Sequence, residues 1–303
     1  MDIRKEANKV SITTIFGNVL LAVIKFVAGL ISNSKAMISD AIHTLSDILS
    51  TFIAIVGVNI ASKEEDNSHK YGHERFECIA SIVLAMILFI TGIELGINGI
   101  KDIVSGDYKD FTEPGVLAII AAVVSIIGKE LMYQYTIHVA KKIKSTALKA
   151  DAWHHRSDAI SSIGALIGII LARNGYLIFD SIASIIIAIL ICKVSIDIFM
   201  DATDKLVDKA CDPLFEIELR ELILKEKGVL GVDDLKTRIF GSKIYVDIEI
   251  AADGNETLKN THKIAERVHD KIEKTYPEVK HCMVHVNPFE EGKKWKRVSY
   301  YYL

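Results

Sequence analysis

Apolar residues gather along this chain into six runs, each near the twenty residues that carry a helix across a bilayer, at 11–31, 36–61, 77–97, 114–133, 150–172 and 176–199. Past Phe199 the period changes. Residues 213–228 mix Leu214, Ile217, Leu222 and Leu224 with charges and predict an amphipathic helix. Two β-branched segments, 232–240 and 243–251, flank Gly241-Ser242 and predict a hairpin, residues 256–275 a charged helix, and 279–286 a third strand. The predicted fold class is an α-helical membrane protein: six transmembrane helices, then a small soluble αββαβ domain of α+β type. The expected division is 1–205 for the six-helix membrane-spanning domain, 206–290 for the soluble domain and 291–303 for a C-terminal tail.

Charge sharpens this division. Of the 75 Asp, Glu, Lys and Arg residues among 303, 38 follow Phe199, so the first two-thirds is apolar and the last third is not. A net charge of −3 gives no long-range attraction to nucleic acid and argues against such a partner. The connections after the first, third and fifth runs carry only Lys35, Lys101, Lys109 and Arg173. The opposite side carries Arg4, Lys5, Lys9, Lys63, Lys70, Arg75, Lys141, Lys142, Lys144 and Lys149. The bias of basic residues toward the cytoplasm therefore predicts both termini inside, in a multi-pass protein of a prokaryotic cytoplasmic membrane. The first run is too long for a signal-peptide core and is expected to be retained as a span. Cys78, Cys192, Cys211 and Cys282 stand singly and read as small buried hydrophobes.

Ionisable side chains inside spans are costly and mark ion paths or binding sites. Lys25, Glu94 and Asp180 stand alone, but most such residues fall in two matching segments. Asp40-Ala-Ile-His43-Thr-Leu-Ser-Asp47 in the second span and Asp151-Ala-Trp-His154-His155-Arg156-Ser-Asp158 in the fifth share the pattern D-A-x-H-x-x-S-D. A His and an Asp four residues apart lie on one helix face, so each helix offers one nitrogen and one oxygen. Two facing helices complete a tetrahedron of His43, Asp47, His154 and Asp158. Such an N2O2 set suits Zn(II) better than Mg(II) or Ca(II), whose shells are all oxygen. Asp40 and Asp151 share the ligand faces as outer partners or solvated helix-end carboxylates, while His155 and Arg156 sit off the face, where snorkelling explains them. The empty site would carry two negative charges in a low dielectric, and protons are the available counter-charge. Metal and proton then compete for one site, which is the basis of antiport, and no GxxxxGK[ST] motif points to ATP.

A second cluster lies in the connection between spans two and three, where Asp66, His69 and His73 would hold another ion. An intramembrane zinc hydrolase would need an open coordination position and a base, and no HExxH occurs, so an enzyme is not expected. A membrane-anchored metal sensor is the other alternative, although a mere anchor has no need of buried His and Asp.

Taken together, the paired HxxxD motifs, the DxxHxxxH connection with Gly72 ahead of its second His, the six spans and the αββαβ tail resemble the cation diffusion facilitator family over essentially the whole chain. The resemblance implies proton-coupled export of a divalent metal from the cytoplasm, with His43, Asp47, His154 and Asp158 as transport site and Asp66, His69 and His73 as loop site. It implies a homodimer whose tail has a metallochaperone-like, ferredoxin-like fold and binds regulatory metal at Asp233, Glu249, His262 and His285. Asp233 and Glu249 stand where some members have His, and Asn287 replaces a usual Asp, which makes this tail set richer in oxygen. His43 at the first position of the span-two pair resembles the zinc-preferring branch, so zinc is the expected substrate, ahead of Fe(II) and Mn(II), with Cd(II) and Co(II) acceptable to the donors. No prosthetic cofactor is expected.

Overall fold

The computed structural model describes residues 3–31, 35–106, 116–173 and 178–289; the side chains of Asp40, His43 and Asp180 and the 291–303 tail lie outside the described parts. The chain divides into two compact units, Met1–Thr203 and Asp204–Leu303.

The first unit is built from α1 (Ile3–Ile31), α2 (Lys35–Ala61), α3 (Arg75–Ser105), α4 (Val116–Lys142), α5 (Thr146–Arg173) and α6 (Ile178–Leu206). At 27 to 31 residues each, they run about 40–45 Å, longer than a hydrocarbon core of about 30 Å. Several extend beyond the apolar runs that announce them: α3 continues past Ile97 to Ser105, and α4 past Tyr133 to Lys142. Hydrophobicity marks where lipid would end, but i to i−4 hydrogen bonding continues into water as long as the residues tolerate helix.

The burial pattern of α1 is inverted relative to a soluble helix. Ile12, Phe16, Leu20, Val23, Val27 and Leu30 are exposed, while Ser11, Thr14, Asn18 and Lys25 are buried in the bundle. Lys25 Nζ donates to Thr44 Oγ1 of α2 at 2.9 Å. Apolar outside and polar inside is the arrangement that lipid as solvent selects. By length and composition alone, two described helices, Arg4–Ala28 and Arg75–Ser105, qualify as spans.

α2 and α3 approach closely at Gly57, where an added Cβ would land on the Cβ of Ala80. The helix-to-helix core of this unit includes Val10, Ala54, Val58, Leu84, Leu88, Val139, Leu148 and Ile191. Glu77, buried near the start of α3, accepts a hydrogen bond from the Ala147 N–H at the start of α5 (3.4 Å), where a carboxylate complements the free N–H groups of a helix end.

In the second unit, α7 (Pro213–Leu224) is capped by Asp212, whose Oδ1 accepts from Leu214 N at 2.8 Å. β1 (Gly231–Phe240) and β2 (Lys243–Ala252) form the expected hairpin, with Gly241 at φ 63°. α8 (Leu258–Thr275) crosses back so that β3 (Val279–Pro288) lies parallel to β2, and the sheet order is β1-β2-β3. α8 buries Ile264, Val268 and Ile272, one face at i, i+4, i+8, against Val246, Ile248, Ile250 and Cys282 of the sheet. His269 Nδ1 meets Cys282 O at 2.8 Å and ties helix to sheet.

Candidate metal centres

α2, α4 and α5 converge on a buried polar site. Asp47 comes from α2 and is 3% exposed; His154 and Asp158 come from α5, one turn apart. His154 Nε2 lies 3.5 Å from Asp47 Oδ1 and 3.9 Å from Asp158 Oδ2, yet has no hydrogen-bond partner. A tetrahedron with metal–ligand bonds of ~2.1 Å has edges of about 3.4 Å, so these separations are near what one small cation would gather. His43 belongs to α2 one turn before Asp47, and its side chain lies outside the described parts. Among the described residues, this trio is one of two groups of three or more His, Cys, Asp or Glu whose candidate ligand atoms all fall within 4.8 Å of one another.

The structure adds a member that spacing does not reveal. Lys129 of α4, 1% exposed, places Nζ 2.5 Å from Asp47 Oδ2 and 2.9 Å from Asp158 Oδ2. The two carboxylates therefore share an ammonium, and protons are not the sole counter-charge as the sequence reading has it. Next to Glu130 and near the end of the fourth apolar run, Lys129 has the look of an ordinary snorkelling cation, and only the crossing of α4 against α2 and α5 reveals its partners.

One turn from this trio, Thr51 of α2 donates to Asp151 Oδ1 at 3.0 Å, and His155 Nε2 lies 3.7 Å from Asp151 Oδ2. Both Asp151 and His155 are fully buried, which corrects the solvated helix-end alternative for Asp151 and the snorkelling reading of His155. Arg156 is half-buried, with its guanidinium 4.4 Å from the Tyr133 ring centroid and its Nε 3.9 Å from Glu130.

The second group is Asp66, His69 and His73. His69 Nδ1 stands 3.5 Å from Asp66 Oδ1, and His73 Nε2 3.5 Å from Asp66 Oδ2, with the ring centroids 4.4 Å apart. Asp66 Oδ1 also accepts from the backbone N–H groups of Ser68 (2.8 Å) and His69 (2.7 Å), closing an Asx turn. These N–H bonds, His69's first and then Ser68's, hold the Asp66 carboxyl below its ordinary value. His73 Nδ1 meets Glu64 O at 3.1 Å; as donor there, it leaves Nε2 as the lone-pair nitrogen facing Asp66. Gly72 at φ 93° makes the turn that brings His73 back over His69.

The tail residues behave differently. Asp233 falls at an irregularity between Val232 and Asp234 in the pairing of β1 with β2, and Glu249 pairs with His285 across β2 and β3. Asn287 Nδ2 donates to Asp233 Oδ2 at 2.9 Å and to Glu249 Oε2 at 3.2 Å, drawing the two carboxylates together through a neutral amide. His262 lies on the exposed face of α8 beside Glu266, 3.4 Å away. Asp233, Glu249, His262 and His285 are thus not brought together as one ligand group within a single chain. A cavity of about 120 Å³ beside them is lined by Asp234, Lys236, Asp247, Glu249, Met283 and His285.

A polar-cored helical bundle with a buried His/Asp cluster, followed by a small α+β unit, defines a metal-handling membrane transporter. The sequence matches the cation efflux transmembrane domain over residues 11–207 and the cation efflux protein cytoplasmic domain over 211–289. The chain belongs to the cation diffusion facilitator family, whose members are transporters and not enzymes. It is 39% identical to an uncharacterized transporter of Methanocaldococcus jannaschii, covering 93% of this chain and 99% of that one. It is 31% identical to the manganese efflux system protein MneP of Bacillus subtilis (94% and 97% covered) and 30% identical to metal tolerance protein C1 of Arabidopsis thaliana (94% and 63%). The protein is accordingly a divalent metal cation efflux transporter of a membrane.

Proposed function

We propose that this transporter moves its metal out of the cytoplasm in exchange for protons, through a site made by His43, Asp47, His154 and Asp158. The observation that carries this reading is the buried convergence of Asp47, His154 and Asp158 at metal-ligand separations between two helices. Carboxylates and an imidazole deprotonate to bind a cation and reprotonate when it leaves, so one site serves both cargoes in turn. Both termini and the second unit lie in the cytoplasm, where Asp66, His69 and His73 form a metal site at the inner surface. The protein works as a homodimer, consistent with the cytoplasmic domain it matches over 211–289. Regulatory metal at Asp233, Glu249, His262 and His285 would need ligands from more than one element or subunit, because one chain leaves His262 apart.

The donor set favours zinc: mixed nitrogen and oxygen in a compact four-ligand arrangement is borderline-soft chemistry. Manganese is the second reading, supported by the likeness to a manganese efflux protein and by the oxygen-rich described trio. The test is metal uptake into liposomes holding the purified protein under an imposed pH gradient. Native protein is expected to concentrate Zn(II), with Mn(II) offered in parallel to rank the two. Asp47→Ala and His154→Ala are each expected to reduce uptake at least a hundredfold, which corresponds to about 2.7 kcal/mol of lost transition-state stabilisation. Uptake that persists in both variants would place the route elsewhere.

A further inference from the structure

The ammonium of Lys129 rests on the carboxylate oxygens a metal would need. Nζ contacts Asp47 Oδ2 and Asp158 Oδ2, and Asp158 Oδ2 also lies 3.9 Å from His154 Nε2. A cation coordinated by His154 and both carboxylates would face a second full charge at bonding distance from its own ligands. In this low-dielectric interior such crowding is strongly unfavourable, so the two occupants exclude one another. Geometry permits the exchange. The ligands are carried by α2 and α5, whereas Lys129 reaches in from a third helix, α4, on a flexible four-carbon stem.

We propose that Lys129 is a tethered competitor cation, which fills the transport site when metal is absent and must withdraw for metal to bind. The idea rests on the transport-site assignment above and adds a component to it. A built-in competitor lowers metal affinity at the site, which favours release on the far side, and it spares the empty protein from carrying two bare carboxylates through its return step. Its charge is matched to neither zinc nor manganese in particular, so the device applies to either substrate.

The decisive experiment measures Zn(II) and Mn(II) binding to the full-length protein in lipid nanodiscs at fixed pH, counting only binding that Asp158→Ala abolishes. Lys129→Met and Lys129→Gln are expected to bind at least about tenfold more tightly than the native chain, while Lys129→Arg, which keeps the charge, binds no more tightly. Unchanged or weaker binding by the neutral variants overturns the proposal and reduces Lys129 to a structural ion-pair partner. Should the neutral variants fail to fold, the native chain carries the test by itself. A membrane-permeant carbodiimide is expected to join Lys129 to Asp47 or Asp158 through an isopeptide bond in metal-free protein, and saturating metal to suppress the product. A yield that is indifferent to metal overturns competition. If the native chain binds no metal that depends on Asp158, the transport-site assignment itself fails and this proposal falls with it, an outcome distinct from native binding that the lysine does not affect.

Discussion

Two backbone N–H groups fix Asp66 in the loop between α2 and α3, and that makes an exposed carboxylate the anchor of two histidines. Because these bonds hold its pKa down in the folded loop, the turn is stabilised wherever the carboxylate is ionised and the unfolded one would be too. The stabilisation is complete above the ordinary aspartate value near 3.9 and disappears as pH falls through the lower folded value. Amide chemical shifts of Ser68 and His69 are therefore expected to report a transition centred below the ordinary aspartate value; one centred at or above it would contradict the turn. Residue by residue, legibility depended on locality. HxxxD pairs and the DxxHxxxH segment declare themselves because their members lie within one turn of helix or one loop. Lys129 and the fully buried His155 do not, since their environments are made by helices far away in sequence.

Elements were easier to read than their ends. Six apolar runs give six helices, and the switch to period-two, β-branched segments gives the three strands, with the hairpin at Gly241-Ser242. Helix termini moved by up to nine residues from the apolar boundaries, as in α4 ending at Lys142, because lipid thickness and helix length are separate constraints. Close helix approach was also hidden. Gly57 reads as one more small residue in an apolar run, yet it lets α2 meet Ala80 of α3 with no room for a methyl group. Gly57→Ala is expected to force the helices apart and to destabilise the bundle by about 1–3 kcal/mol. Thermal unfolding in detergent checks it, and an unchanged midpoint would mean that the two helices part freely at this point.

On the scale of the whole molecule, the structure divides at Thr203 and Asp204, close to where the apolar runs end and the charged third of the sequence begins. What the sequence pattern did not convey is how the tail carboxylates are satisfied: Asn287 bridges Asp233 and Glu249 with an amide, and His262 stays on the far face of α8. The bundle poses the larger question, because the proposed transport site of two carboxylates and imidazole, with Lys129 beside them, would have to change its charge as cargo came and went. That requirement makes the number of protons moved per metal the most direct measure of the account. Metal entry and proton release should be followed together in the same proteoliposomes, with an internal metal dye and an internal pH dye. The expected result is proton efflux in fixed proportion to metal uptake, with both signals lost together in Asp158→Ala. Metal uptake with no accompanying proton movement, or proton movement that survives the loss of metal uptake, would contradict exchange at this site.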